Sequence, residues 1–295
     1  MLFINFARRS ALFSRNAVFA VSVGMLIAAA FETVALAQPE AQAKVKMYQV
    51  RDAGFGIPQV DGGEKQASSL WPATLKYYLN KEFSCTATLV GERAVITAGH
   101  CLEDNAIAEV TFTDGSTATL HCRRHPQYED RSLNADIALC ASGTTFPSGV
   151  FFENLDLRST RIFAGQRLFL LGFGCRDVNH IFDPDKSGQL YGGFSSVSKV
   201  SMQAETQYEA GGGVVICPGD SGGSAYILAA PTQIGGPRSI VGINSYYKAK
   251  ERISGLAKLS GSMGEFIRDW AADNNVTICG VHPLAKNCRE KFVPQ

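Results

Sequence analysis

The sequence predicts an all-β protein, a sandwich or barrel of short strands finished by one late helix, and three observations carry that prediction. Glycine supplies 29 of 295 residues and charged residues only 19%, a balance that suits tight turns between strands better than a helical bundle. From Val60 onward, short β-rich runs alternate with Gly, Asn, Asp and Ser turns. Helical periodicity shows in a single stretch near the C-terminus.

Along the chain, the clearest strands fall at residues 83–89, 94–97, 108–112, 167–171 and 239–243. Regular short strands of this kind build sandwiches and barrels. The helix is expected over residues 263–273, with Phe266, Ile267, Trp270 and Ala271 as its apolar stripe and Ser260 or Ser262 as its cap. Residues 276–295 follow as a tail.

The N-terminus reads as an address. Arg8, Arg9 and Arg15 precede an apolar run over residues 17–31, and Ala35-Leu36-Ala37 offers a small-x-small cleavage site. That pattern predicts a signal peptide over residues 1–37, with Gln38 the first mature residue. The apolar run is short for a bilayer span, so no membrane anchor is expected after its removal. Arg8-Arg9 leaves twin-arginine export open beside the general route, and the mature protein is expected to be secreted or periplasmic. Residues 38–59 are polar and unpatterned, and read as a pro-segment or leader.

Lys plus Arg number 28 and Asp plus Glu 27. No charge excess points to nucleic acid or an acidic membrane surface. The eight cysteines of an exported chain, Cys85, Cys101, Cys122, Cys140, Cys175, Cys217, Cys279 and Cys288, imply four disulfides. His121, Cys122 and His125 have the look of metal ligands. An oxidised Cys122 offers no thiolate, however, and no second cluster completes a tetrahedral site. Neither metal nor cofactor is expected.

Three segments carry chemistry. Thr97-Ala98-Gly99-His100-Cys101 places a histidine at the end of an apolar strand. Asn134-Ala135-Asp136-Ile137-Ala138-Leu139 puts a carboxylate at the start of another. Gly219-Asp220-Ser221-Gly222-Gly223 sets a serine in a turn built of small residues. A serine hydroxyl is a weak nucleophile until a base takes its proton, histidine titrates in the useful range, and a carboxylate fixes the imidazole tautomer. Glycines let successive N–H groups point at one spot and meet a developing oxyanion.

These segments, in the order His100, Asp136, Ser221, resemble those of the trypsin/chymotrypsin family of serine proteases, here read as a secreted member of bacterial type. Gly172-Phe173-Gly174 is similar to the family's Gly-Trp-Gly, and Ile243-Asn244-Ser245-Tyr246-Tyr247 to the strand that pairs with substrate backbone. The resemblance covers residues 60–275. It implies two antiparallel six-stranded β-barrels with the active site between them, His100 and Asp136 from the first and Ser221 from the second. His100 is then the general base, Asp136 its support, and the N–H groups of Gly219 and Ser221 the oxyanion hole. Substrates are proteins or peptides.

The family's most widespread disulfide falls on Cys85 and Cys101. Cys122 with Cys140 would bracket neighbouring strands of the first barrel, and Cys279 with Cys288 closes the tail. Cys175 and Cys217 remain, and pair by elimination. The family's pocket floor falls on Val215, with Ile216 beside it; Ser245, Tyr246 and Tyr247 line the substrate strand. Val215 brings no carboxylate for Lys or Arg, so an apolar P1 residue is expected, while an indel in residues 243–255 would instead leave room for aromatics. In this family an activating protease frees an α-amino group that pairs with the Asp before the serine. The corresponding residues are Val60, in Val60-Asp61-Gly62-Gly63, and Asp220.

Two rivals were weighed. The sequence Gly219-x-Ser221-x-Gly223 also fits the nucleophile elbow of α/β-hydrolases, but that fold needs a histidine after the serine, and only His282, in the tail, follows. A catalytically silent binding module of the same fold is the second; nothing in the three segments is missing.

Overall fold

The computed structural model describes residues 44–50, 61–158, 162–175, 189–200 and 206–291. The expected signal peptide and Val60 lie outside them. The strands of the N-terminal half are β1 (Val45–Gln49), β2 (Glu64–Lys65), β3 (Thr74–Leu79), β4 (Glu82–Gly91), β5 (Ala94–Thr97), β6 (Ile107–Thr111), β7 (Thr117–Arg124) and β8 (Ala138–Ser142). All but β2 close into one barrel in the order β1-β3-β4-β5-β8-β7-β6. Alternation drives the outer strands: in β7, Ala118, Leu120 and Cys122 turn inward while Thr119, His121 and Arg123 face water. The strands β5 and β8, which carry the site, are buried along their whole length.

The C-terminal half supplies β9 (Arg167–Gly172), β10 (Tyr191–Lys199), β11 (Gln207–Gly211), β12 (Ser224–Leu228), β13 (Arg238–Lys248) and β14 (Ile253–Lys258). Their order is β11-β14-β13-β12-β9-β10, and β10 also pairs with β11, which closes six antiparallel strands into a second barrel. Strand β2 is added along β10. Leu168, Leu170, Tyr208, Ile216 and Leu256 belong to a core cluster of this barrel.

The all-β fold of two barrels and one C-terminal helix is therefore observed, with one correction. The first barrel has seven strands, and the extra one comes from the segment read as an unpatterned leader. β1 lies antiparallel to β3 and parallel to β6. Val45 and Met47 point into the core, at 2% and 0% exposure. The pattern is only five residues long and Tyr48 stays exposed. Its burial comes from strands remote in sequence, which explains why composition alone read it as leader.

The helix α1 (Ser262–Asp273) buries Met263, Phe266, Ile267, Trp270 and Ala271. Neither expected serine caps it. The N-cap is Gly261 at φ 63°, with no side-chain cap bond, a left-handed conformation that glycine adopts without steric cost. Beyond it the tail is part of the packed body: the Phe152 N–H donates to the Asn287 carbonyl at 2.8 Å and the Cys279 N–H to that of Val90 at 2.8 Å. Beneath lies a fully buried ion pair, Arg238 to Glu153 at 2.5 Å, its guanidinium 3.5 Å from the Trp71 ring.

Candidate active site

The His100 side of the site grows out of strand ends in the first barrel. β5 runs into a single 3₁₀ turn, Gly99–Cys101, which presents His100 while Cys101 is anchored to Cys85 by a disulfide. Asp136, wholly buried, sits two residues ahead of β8 rather than within it. Its Oδ1 accepts the His100 backbone N–H at 2.8 Å, and its Oδ2 faces His100 Nδ1 at 2.8 Å. A carboxylate only accepts, so Nδ1 carries the proton and Nε2 is left as the basic nitrogen. Ser245 Oγ, from β13 across the barrel boundary, donates to the same Oδ2 at 2.5 Å.

The Ser221 side is irregular chain, residues 217–223, shaped by local contacts. Within it the N–H groups of Asp220, Gly222 and Gly223 donate to the carbonyls of Cys217, Asn244 and Asp220 at 2.8–2.9 Å. Among the described residues the N–H groups of Gly219 and Ser221 have no such partner. Gly219 is left-handed at φ 97°, and a Cβ there would lie 2.6 Å from the Phe83 ring; an L side chain is excluded twice over. Thr86, in β4, holds this loop from the first barrel: its N–H donates to the Ser221 carbonyl at 2.7 Å and its Oγ1 to that of Gly219 at 2.8 Å.

His100 and Ser221 both line a cleft of about 390 Å³, with Ile216, Ser245, Tyr246 and Tyr247 also on its wall. Ser221 Oγ lies 3.5 Å from the Ser245 carbonyl. Val215, expected on the pocket floor, is not among the lining residues. It is 1% exposed, and its backbone pairs with Asp61 through bonds of 3.1 and 3.2 Å. Beside the cleft, Tyr246 and Lys248 converge on Glu209 at 3.3 and 2.6 Å. The Lys248 ammonium holds the Glu209 carboxyl below its usual range.

Asp220 turns away from the cleft into the body, fully buried. Its Oδ1 accepts from the Gly174 N–H at 2.7 Å and its Oδ2 from that of Cys217 at 2.9 Å. Burial pushes its carboxyl up to about 7, against the pull of those two N–H groups. Glycine is required opposite it: a Cβ on Gly172 would fall 2.3 Å from Oδ1.

The structure joins Cys85 to Cys101, Cys122 to Cys140, Cys175 to Cys217 and Cys279 to Cys288, the same four pairs drawn from the sequence. Cys122 is thereby removed as a metal ligand. Two positioning residues escaped the sequence reading. Thr86 is one; with Thr88 two residues on in the same strand, nothing in the sequence set it apart. Asn244 is the other, its amide donating to the Leu171 and Asp220 carbonyls at 3.0 and 3.2 Å.

A family model described as Trypsin matches residues 60–260, and the chain belongs to the trypsin family of serine proteases. It is 25% identical over 201 residues to Trypsin iota of Drosophila melanogaster, across 60% of this chain and 76% of that one. It is 23% identical over 136 residues to Serine protease SP24D of Anopheles gambiae, across 43% of this chain and 50% of that protein. With Seminase of Drosophila melanogaster the identity is 28% over 124 residues, across 39% and 42% of the two chains. The chain thus spans half or less of the length of the last two. All three are insect proteins, and the bacterial-type assignment finds no support in them.

Proposed function

We propose that this chain is an exported serine endopeptidase in which Ser221 attacks the scissile carbonyl, His100 moves the proton, and Asp136 holds the imidazole. One observation carries the reading: a buried carboxylate fixes His100 through Nδ1, and on the same cleft the N–H groups of Gly219 and Ser221 have no partner among the described residues. His100 Nε2 takes the Ser221 proton as Oγ adds to the carbonyl. The N–H groups of Gly219 and Ser221 meet the oxyanion. The imidazolium then protonates the leaving amine, and water, activated by the same nitrogen, releases the acyl group. Ser245 orients Asp136 from behind.

Among the described residues no Asp or Glu lines the cleft, and a buried Lys or Arg at P1 would go unpaired at high cost. Ile216 and Tyr247 favour a small or medium apolar P1 residue. A cut ahead of Val60 supplies an α-ammonium to the buried Asp220; the pairing of Asp61 with Val215 supports that path, since it lays the next residue of the chain along the same strand bridge.

A fluorophosphonate probe on the secreted protein tests the reading. Labelling at Ser221, abolished in Ser221→Ala, is the expected result; absence of labelling in every form would make this a binding module of the same fold. A P1-varied peptide panel tests the pocket, and preferred cleavage after Arg or Lys would contradict it.

A further inference from the structure

We infer that β1, read from the sequence as part of a leader, builds substrate-binding surface: its Tyr48 completes an aromatic shelf that takes a large apolar residue of the substrate one or two places beyond the scissile bond. The inference rests on the peptidase reading above and names a substrate class for that site. The Tyr48 and Tyr78 rings meet edge to face with centroids 5.3 Å apart, and Tyr78 meets Phe83 in the same way at 5.8 Å. The rings come from β1, β3 and β4 in turn. Met47 and Tyr77, beside Tyr48 and Tyr78 in sequence, fill the barrel at 0% exposure, so alternation turns Tyr48 and Tyr78 outward. Tyr48 is exposed, and Tyr78 and Phe83 are half-buried. The Phe83 ring lies against the backbone of Gly219, where a Cβ would come within 2.6 Å of it. The shelf therefore ends at the oxyanion loop.

Its place decides what it can hold. Ile216 and Tyr247 line the part of the cleft read above as taking P1, while Leu79 and Ser84, the sequence neighbours of Tyr78 and Phe83, line it from the first barrel. The cleft thus continues past Ser221 onto the shelf, and the half of the substrate that leaves as the amine lies nearest to it. Single exposed apolar residues are ordinary, but rings in contact and joined to a binding cleft mark a ligand contact. Tyrosine gives large contact area with few rotatable bonds, and an aromatic partner gains further from edge-to-face packing. β1 is held where this requires. It pairs with β3 and β6, the Asn80 N–H donates to the Lys44 carbonyl at 2.9 Å, and the Gln49 side chain donates to the Pro72 carbonyl at 2.7 Å. A cut ahead of Val60 breaks none of these bonds, so the shelf persists in the cut enzyme.

The test reads the leaving side alone. The cut enzyme is acylated with a short ester, and a dipeptide amide competes with water for the acyl group. The amine nitrogen bonds to the acyl carbon, the bond to Ser221 Oγ breaks, and the amine's proton passes through His100 to that oxygen. The quantity measured is the ratio of capture by Phe-Gly amide or Gly-Phe amide to capture by Gly-Gly amide. Wild type should favour one of the Phe amides about tenfold. Tyr48→Ala should bring that ratio close to one, and Tyr48→Phe should keep it, because the ring and not the hydroxyl is the contact. A merely structural Tyr48 would change capture of all three amides alike and leave the ratio intact, which overturns the inference. So does wild type that shows no preference, whether or not the Tyr48→Ala chain folds. An enzyme that hydrolyses the ester but ignores the Phe side chain sinks this inference alone; if no form is acylated, the peptidase reading falls, and the inference with it.

Discussion

The two barrels hold their halves of the site by different means. The first is a wall of strands whose order depends on burial, closed by a β1 that no covalent bond retains except its own chain. Its disulfides span only 16 and 18 residues, and Cys122–Cys140 ties directly paired positions of β7 and β8. His100 sits in the turn just past the end of β5 and Asp136 just ahead of the start of β8, so their positions follow from the packing of those two strands. The second barrel sets Ser221 on irregular chain, held by glycine contacts, side chains reaching across from the first barrel, and a cross-link over 42 residues. Damage to the first barrel should therefore cost stability before activity, and damage to the loop of the second should cost activity before stability.

The largest effect is expected where the proposed chemistry draws on the first barrel. Asp136→Asn should lower kcat by about 10⁴ while leaving the fold cooperative. The amide presents a donor where His100 Nδ1–H and Ser245 Oγ–H both need an acceptor, and the tautomer is lost. Steady-state kinetics beside a thermal melt check it. A variant that keeps most of its turnover would mean His100 is positioned by the strand end alone.

The next effect belongs to the second barrel and is read through pH. Burial raises the folded-state pKa of Asp220 well above the ordinary carboxylate range, to about 7. A raised acid stabilises the fold while protonated, so its contribution is complete below about pH 4 and is lost as pH climbs towards 7. In the uncut chain that loss is on the order of 4 kcal/mol. Asp220→Asn should flatten the fall in stability between pH 4 and 7, whatever its absolute stability. Melts of the uncut forms across that range decide it, and parallel pH profiles for the two would remove Asp220 as the source.

How much of this was legible in the sequence follows the same division. The barrels declared themselves because strands such as β4, β5 and β9 carry β-rich runs bounded by turn residues. His100, Asp136 and Ser221 were picked out by residue type and order, and the structure sets His100 against Asp136 with Ser221 on the same cleft. β1 did not, because a five-residue alternation becomes a strand only between β3 and β6, about 30 and 60 residues further on. Nor did Thr86 or Asn244, since a polar side chain that holds another segment's backbone looks in sequence like any other. Counting back from Ser221 led to Val215 and Ile216, of which Ile216 lines the cleft and Val215 does not. Which of Val215 and Ile216 faces the cleft depends on the Asp61 bridge, and that is a tertiary fact.

A smaller effect asks whether β1 is a working strand of the first barrel. Met47 is fully buried, and Met47→Ala should cost about 2–5 kcal/mol with kcat per folded molecule unchanged. For the same reason, a chain cut within residues 51–60 should keep its leader fragment through gel filtration. A fragment that elutes alone, or a Met47→Ala melt indistinguishable from wild type, would return residues 44–50 to the status of a passive leader.

The smallest effect separates what holds β1 from what merely decorates it. Lys46, on the outward face of the strand, pairs with Glu109 of β6 at 2.6 Å, with the two side chains 35% and 32% exposed. Such a pair gains little Coulomb energy in a wet environment, is screened by salt, and must order two long side chains. Its contribution should be below about 1 kcal/mol. The ladder to β3 and β6 and the burial of Val45 and Met47 do not share that weakness, because neither depends on ionic strength. Lys46→Ala should therefore shift the melt only slightly, and the shift should shrink further at high salt, while the Met47→Ala deficit persists unchanged. If Lys46→Ala costs as much as Met47→Ala, and salt weakens both alike, β1 is held to the barrel by charge, and the distinction between a strand wall kept by burial and a reactive loop kept by polar contacts fails at its first-barrel end.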